Sequence, residues 1–183
     1  NPLKSVGRVF AFLDKPSAQV VSLVLFLAAA GTAVSTALPS DLKLTVSTVA
    51  AIVGIVFYIR AYATKNSART GWNLIMLGHL FGSLFLILAS AGSWKYLGMY
   101  GIGVGAAFVL GHVCLWYLEA KGEPSMLGSY NGSIYAFKEL GHVFFIVSLL
   151  FMAFPISPSF LAQDILLSLV PGSYALQIVL FCL

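Results

Sequence analysis

Residues Gly71–Ala91 read GWNLIMLGHLFGSLFLILASA, a run without a single Asp, Glu, Lys or Arg. A helix crosses the hydrocarbon of a bilayer in about 20 predominantly apolar residues, so this stretch predicts a transmembrane helix. Five more segments repeat the pattern: 17–38, 43–63, 97–118, 137–155 and 159–183, the last broken near Pro171-Gly172. A transmembrane β-barrel would show short alternating segments instead. The expected fold is all-α, a polytopic bundle of six transmembrane helices.

Composition agrees. Hydrophobic residues make up 60% of the 183 positions and charged residues 9%, whereas a soluble domain carries roughly 25% charged residues to face water. This excludes a soluble enzyme or a nucleic-acid binder and makes the lipid bilayer the expected surroundings. The net charge of +4 then reads as topology. Lys4, Arg8, Lys15, Arg60, Lys65, Arg69, Lys121 and Lys138 fall on one side, Lys43 and Lys95 on the other. Cytoplasmic loops carry the excess of Lys and Arg, so both termini are expected in the cytoplasm. Residues 1–16 place Val6, Val9, Phe10 and Leu13 at helical spacing between cations, the pattern of an amphipathic segment on the inner surface; a short connecting loop is the other reading. Cys114 and Cys182 lie in apolar runs and lack the spacing of a metal or disulfide framework. Gly78 with Gly82, and Gly101 with Gly105, are four apart, a spacing that lets helices approach closely in lipid.

Ionisable side chains within a membrane are costly and mark candidate functional positions. Three histidines share one local context: Leu77-Gly78-His79, Leu110-Gly111-His112 and Leu140-Gly141-His142. Counting along the expected helices puts all three roughly 8–12 Å below the cytoplasmic face. Three readings stand: a proton relay, since histidine titrates near neutral pH; axial ligation of one haem iron by two of them; or a hydrogen bond from each to a neighbouring helix. A two-haem cytochrome would need a second histidine pair near the opposite face, and the sequence has no further histidine. Asp164 lies about six residues into the last segment, on the outer side, after Phe154-Pro155-Ile156-Ser157-Pro158. A carboxylate there must be protonated, paired or facing a polar cavity. Prolines nearby free backbone groups, as in the discontinuous helices of transporters; an interfacial Asp at a helix start, favoured by the dipole, is the alternative.

The segment Phe151–Leu167, FMAFPISPSFLAQDILL, resembles the proton-translocating antiporter-like membrane subunits of respiratory complex I, Mrp-type antiporters, membrane hydrogenases and an inorganic-carbon uptake complex. In that family a helix ending in Pro is followed by a turn of small residues, a Phe, and then Lys or Glu beside Asp or Glu; Phe160, Gln163 and Asp164 occupy those places. The basic loop Lys65–Thr70 and the helix through His79 are similar to a second family segment. The resemblance spans about residues 43–183 and implies the later half of such a subunit, or a degenerate copy. It departs from the family where intramembrane Lys is expected: Gln163 replaces one, and 43–63 and 97–118 contain none centrally.

The resemblance implies a proton- or cation-translocating subunit of a larger complex in a bacterial inner membrane, with other membrane subunits as partners, no activity of its own and no cofactor. Asp164 and Gln163 are expected to line the outer part of a path, with His79, His112 and His142 on its inner part and Arg60 tuning their protonation by its charge. Two alternatives stay open: a single-haem membrane cytochrome holding haem b between two of the three histidines, and a structural or assembly subunit with neither path nor cofactor.

Overall fold

Pro39 and Ser67 each sit where a helix must begin. The Pro39 carbonyl accepts from the amides of Leu42 and Lys43, and Asp41 in the first turn complements the positive end of the helix dipole. The Ser67 hydroxyl accepts from the amide of Thr70 at 3.3 Å, an N-cap that satisfies one of the four orphan donors at a helix start. The computed structural model describes residues 39–65, 67–89, 94–121, 137–155 and 157–175. These form α1 (Ser40–Ala63), α2 (Ala68–Ala89), α3 (Trp94–Ala120), α4 (Lys138–Phe151), α5 (Pro158–Ser168) and a short 3-10 turn (Gly172–Tyr174). There is no strand among the described residues.

Three helices, α1, α2 and α3, are long and apolar enough to cross a membrane. With the exposed apolar residues of α1 and α3, such as Ile59 and Ile102, they mark an integral membrane protein whose surroundings are lipid. The three are not equivalent. In α2, 83% of the apolar window is buried, against 28% in α1 and 33% in α3, so α2 is the inner helix. It packs against α1 and α3, and α3 in turn packs against α4 and α5.

Close approach of α1 and α2 depends on glycine. A Cβ on Gly54 would stand 3.4 Å from the Gly78 carbonyl oxygen, and one on Gly78 only 2.7 Å from the Tyr58 ring. The pair Gly78 and Gly82 thus lies on a helix contact, as its spacing suggests. Gly105 does not: a Cβ there meets nothing within 4 Å.

The remaining segments differ from their expected bounds. The stretch 137–155 carries a helix of 14 residues that stops at Phe151. Ala153 adopts φ of 50°, a left-handed conformation that no helix continues, and Pro155 disfavours the α region for Phe154. At 1.5 Å per residue α4 is about 21 Å long, short of the ~30 Å hydrocarbon. α5 has 11 residues and stops at Ser168, before Pro171. The expected first crossing 17–38, the amphipathic segment 1–16, most of the loop 119–136 and the end of the last segment fall outside the described residues.

The ends of α4 and α5 meet within the bundle rather than at its rim. Ser157 caps α5 by accepting from the Phe160 amide, and Pro158 follows at the first helical position, where its missing N–H costs nothing. The Ser159 hydroxyl donates to the Leu150 carbonyl at 3.3 Å. A Cβ on Gly103 would be 3.1 Å from that of Ser159, and Gly103 lies roughly 14 Å along α3 from Trp94. Backbone groups freed at such depth must be satisfied by protein. The amides of Met152, Ala153 and Phe154 return to the carbonyls of Ser148, Leu150 and Leu149.

Candidate functional site

α2 and α3 run antiparallel, and a line of polar side chains follows the seam between them. At the Ala68 end, Arg69 of α2 pairs with Glu119 of α3. One turn further, His112 donates from Nε2 to the Asn73 carboxamide oxygen at 2.7 Å. Asn73 is 2% exposed; a carboxamide buried this deeply needs such a partner. Beside it the Trp72 indole donates to the Phe108 carbonyl at 3.1 Å. Nearly two turns on, Nδ1 of His79 lies 2.9 Å from the Tyr100 hydroxyl. His79 is 8% and Tyr100 3% exposed.

His79 is the point where four helices converge. Tyr58 of α1 presents its ring edge-on at 5.7 Å between centroids. Tyr100 of α3 supplies the hydroxyl. Phe151, the last residue of α4, packs its ring against the imidazole at 4.9 Å between centroids, tilted by 42°. Either partner can be the donor between Nδ1 and the Tyr100 hydroxyl, according to the tautomer. One imidazole thus joins α3, through the Tyr100 hydroxyl, to the end of α4, through its contact with the Phe151 ring.

The repeated Gly-His dipeptide has a steric reason at two of its three occurrences. At Gly78 the Tyr58 ring occupies the place of a side chain, and at Gly111 the Trp72 indole does. Each glycine leaves room for an aromatic ring from the neighbouring helix close to the backbone next to a histidine. Gly before His, with Tyr or Trp on an adjoining helix, is a signal the sequence carries for these contacts; only the Gly78–Gly82 spacing marks one of the two glycines as a helix contact. Asn73, Tyr100, Trp72 and Ser83 were absent from the expected site, because single polar residues in apolar runs carry no pattern of their own.

The other expected site residues are elsewhere. His142 is exposed on α4 and Arg60 exposed near the end of α1. α5 buries Ser159, Ala162 and Leu166. Asp164 falls on the opposite side of that helix and is exposed, with Gln163 half-buried beside it. The geometry brings His79 and His112 onto one seam and leaves His142, Asp164, Gln163 and Arg60 off it.

An axial haem pair would need a porphyrin-sized gap between two histidine rings. His79 and His112 are instead engaged with Tyr100 and Asn73, and Phe151 packs on the His79 ring. The cavity beside His79 has a volume of about 10 Å³, whereas sites for ligands of that size run to hundreds of Å³. These two residues, so arranged, do not fit haem. Comparison with family models, with curated proteins and with solved structures returns no match for this chain.

Proposed function

We propose that the chain is a proton-translocating subunit of a larger membrane complex and that the protons follow the α2–α3 seam. The observation that carries this reading is the alignment of two histidines, His112 bonded to Asn73 and His79 bonded to Tyr100, along one contact between two membrane-length helices. Histidine is the side chain whose charge changes near neutral pH, and two of them in series at membrane depth suit a relay. The Arg69–Glu119 pair stands at the cytoplasmic mouth if the Lys and Arg bias sets the orientation. The short helices α4 and α5, meeting at mid-depth, match the discontinuous helices from which transporters build ion sites, and the likeness of residues 151–167 to antiporter-like subunits points the same way. Asp164, on an exposed face of α5 in an apolar region, fits a position against a partner subunit better than one in a path shared with the histidines.

The test is proton flux. The purified chain is reconstituted into liposomes containing a pH-sensitive dye, and a potassium diffusion potential is imposed with valinomycin. Flux above that of empty liposomes is expected, with His79→Gln and His112→Gln each lowering it while the protein stays folded. Flux equal to that of empty liposomes, or variants that conduct like the parent, would overturn the reading.

A further inference from the structure

Level with His79 and Tyr100, and reaching Ser83 one turn further toward the Ala89 end of α2, a cavity of about 10 Å³ opens between α2 and α3. His79, Ser83 and Tyr100 line it together with Met76, Leu97 and Val104. From this we infer a binding site for a single water molecule, held by Ser83 and Tyr100, that continues the His79–Tyr100 pair toward the Ala89 end of α2. The inference deepens the proton-path reading above and rests on it.

Size and chemistry both select water. A cavity needs about 10–15 Å³ to hold a water, and the water two to four polar partners, so this cavity is the size of one molecule. Ser83 is 6% exposed, and its hydroxyl proton is committed to the Leu80 carbonyl at 2.8 Å. Its oxygen therefore faces the cavity as an acceptor. In the tautomer where Nδ1 of His79 accepts from the Tyr100 hydroxyl, the Tyr100 oxygen is left as an acceptor too. A water donating to both oxygens satisfies both of its hydrogens. The rest of the wall is aliphatic, so the water is held in one place rather than joined to a pool.

The proton balance follows from these roles. An excess proton reaching the water from the Ala89 side passes to the Tyr100 oxygen as the Tyr100 proton passes to Nδ1 of His79. The water and the tyrosine end neutral and unchanged, and the imidazole carries the charge. Ser83 holds the water without exchanging a proton with it. Asp164 is not needed for this step, which explains why the path can run with that carboxylate turned outward.

Water-edited solid-state NMR of the chain in lipid bilayers reads the site directly. Polarisation from water is expected at the Tyr100 ring and the Ser83 side chain, and not at Phe85 or Leu86, which are fully buried nearby. Ser83→Val fills the space, and Ser83→Ala removes one of the two acceptors; both are expected to abolish transfer to Tyr100. In the liposome assay the valine variant is expected to lower proton flux ~100-fold, the low end for loss of a positioned proton-transfer group. If Tyr100 receives no more polarisation than Phe85, or if the Ser83 variants leave that transfer unchanged, there is no water site. If His79→Gln lowers flux while Ser83→Val does not, the site is off the path and the inference fails with the proton reading intact. If neither variant changes flux, the proton reading itself fails.

Discussion

The carboxamide oxygen of Asn73 and Nε2 of His112 lie 2.7 Å apart, joining α2 to α3 in a part of the bundle otherwise filled by aromatic and aliphatic side chains. Each is the other's partner across the seam, and neither helix alone could satisfy both. Asn73→Leu removes the acceptor and leaves a half-buried imidazole N–H facing an alkyl group. Interhelical hydrogen bonds in membranes contribute on average ~0.6 and up to ~2 kcal/mol, so a loss within that range is expected. Unfolding midpoints of Asn73→Leu, His112→Leu and the double variant in mixed micelles check it, and the cycle should show coupling of that size.

Gly111→Ala is expected to be worse than an ordinary glycine-to-alanine change in a helix. Alanine normally improves helix propensity by up to ~1 kcal/mol. Here the added methyl would overlap the Trp72 indole, which also holds the Phe108 carbonyl and stacks on Phe151 at 4.4 Å. Overpacking of this kind costs about 1–3 kcal/mol. A fall in thermal midpoint, with a shift in Trp fluorescence as the indole moves, is the expected pair of signals; Gly105→Ala, where the space is open, serves as the neutral control.

Loss of the Ser157 hydroxyl should loosen the junction between α4 and α5. Ser157 accepts from the Phe160 amide at 3.1 Å and lies 3.0 Å from the Ser159 hydroxyl. Replacing an N-cap serine by alanine costs ~0.5–2 kcal/mol, and the capped end is buried, which favours the upper part of that range. Hydrogen–deuterium exchange at residues 157–162 should quicken in Ser157→Ala while α2 keeps its protection.

The Arg69–Glu119 pair contributes little to folding. Their side chains are 35% and 32% exposed, and ion pairs open to water are worth about 0–1 kcal/mol. A double-mutant cycle with Arg69→Gln and Glu119→Gln should give a coupling below ~1 kcal/mol, shrinking further at high salt as screening predicts.

Asp164 and His79 should separate by stability as well as by flux. Surface substitutions away from special features stay within about ±0.5 kcal/mol, so Asp164→Asn is expected to leave the detergent melting curve unchanged. His79→Leu strands the Tyr100 hydroxyl, at about 1–3 kcal/mol for a buried group left unsatisfied.

The membrane class and the positions of α1, α2 and α3 were legible in the sequence because a 20-residue apolar run has a length that only a spanning helix explains. The shortness of α4 was not. Its apolar run continues through Phe154, and the turn depends on the backbone of Ala153 rather than on its side chain. Pro155 marked the boundary four residues late. Of the site, His79 and His112 were legible as rare ionisable residues, but not at the common depth expected: His112 meets α2 at Asn73, about 9 Å along the helix from His79. Their partners Tyr100 and Asn73 were not legible, since which face of α3 meets α2 is set by packing, and tyrosine and asparagine in such runs read equally well as interfacial or lipid-facing. Asp164 drew attention for its charge, yet its direction is decided by Ser159, Ala162 and Leu166, the small and apolar residues that turn the other side of α5 inward.

The burial of α2 on nearly all sides has a bearing on how the chain is made. Asn73, His79 and Ser83 are each buried, and two of the three find partners on α3, a segment synthesised later. A nascent α2 released by itself into lipid would lack the Tyr100 partner of His79 and the His112 partner of Asn73. α3 carries the reciprocal groups Tyr100 and His112, whereas α1 meets His79 through the Tyr58 ring. The sequence of events this favours is retention of α2 beside the insertion machinery until α3 emerges, followed by release of the two as a hairpin. Substitutions that weaken the seam would then show first as low yield and degradation of newly made protein, before any change in what the mature chain does.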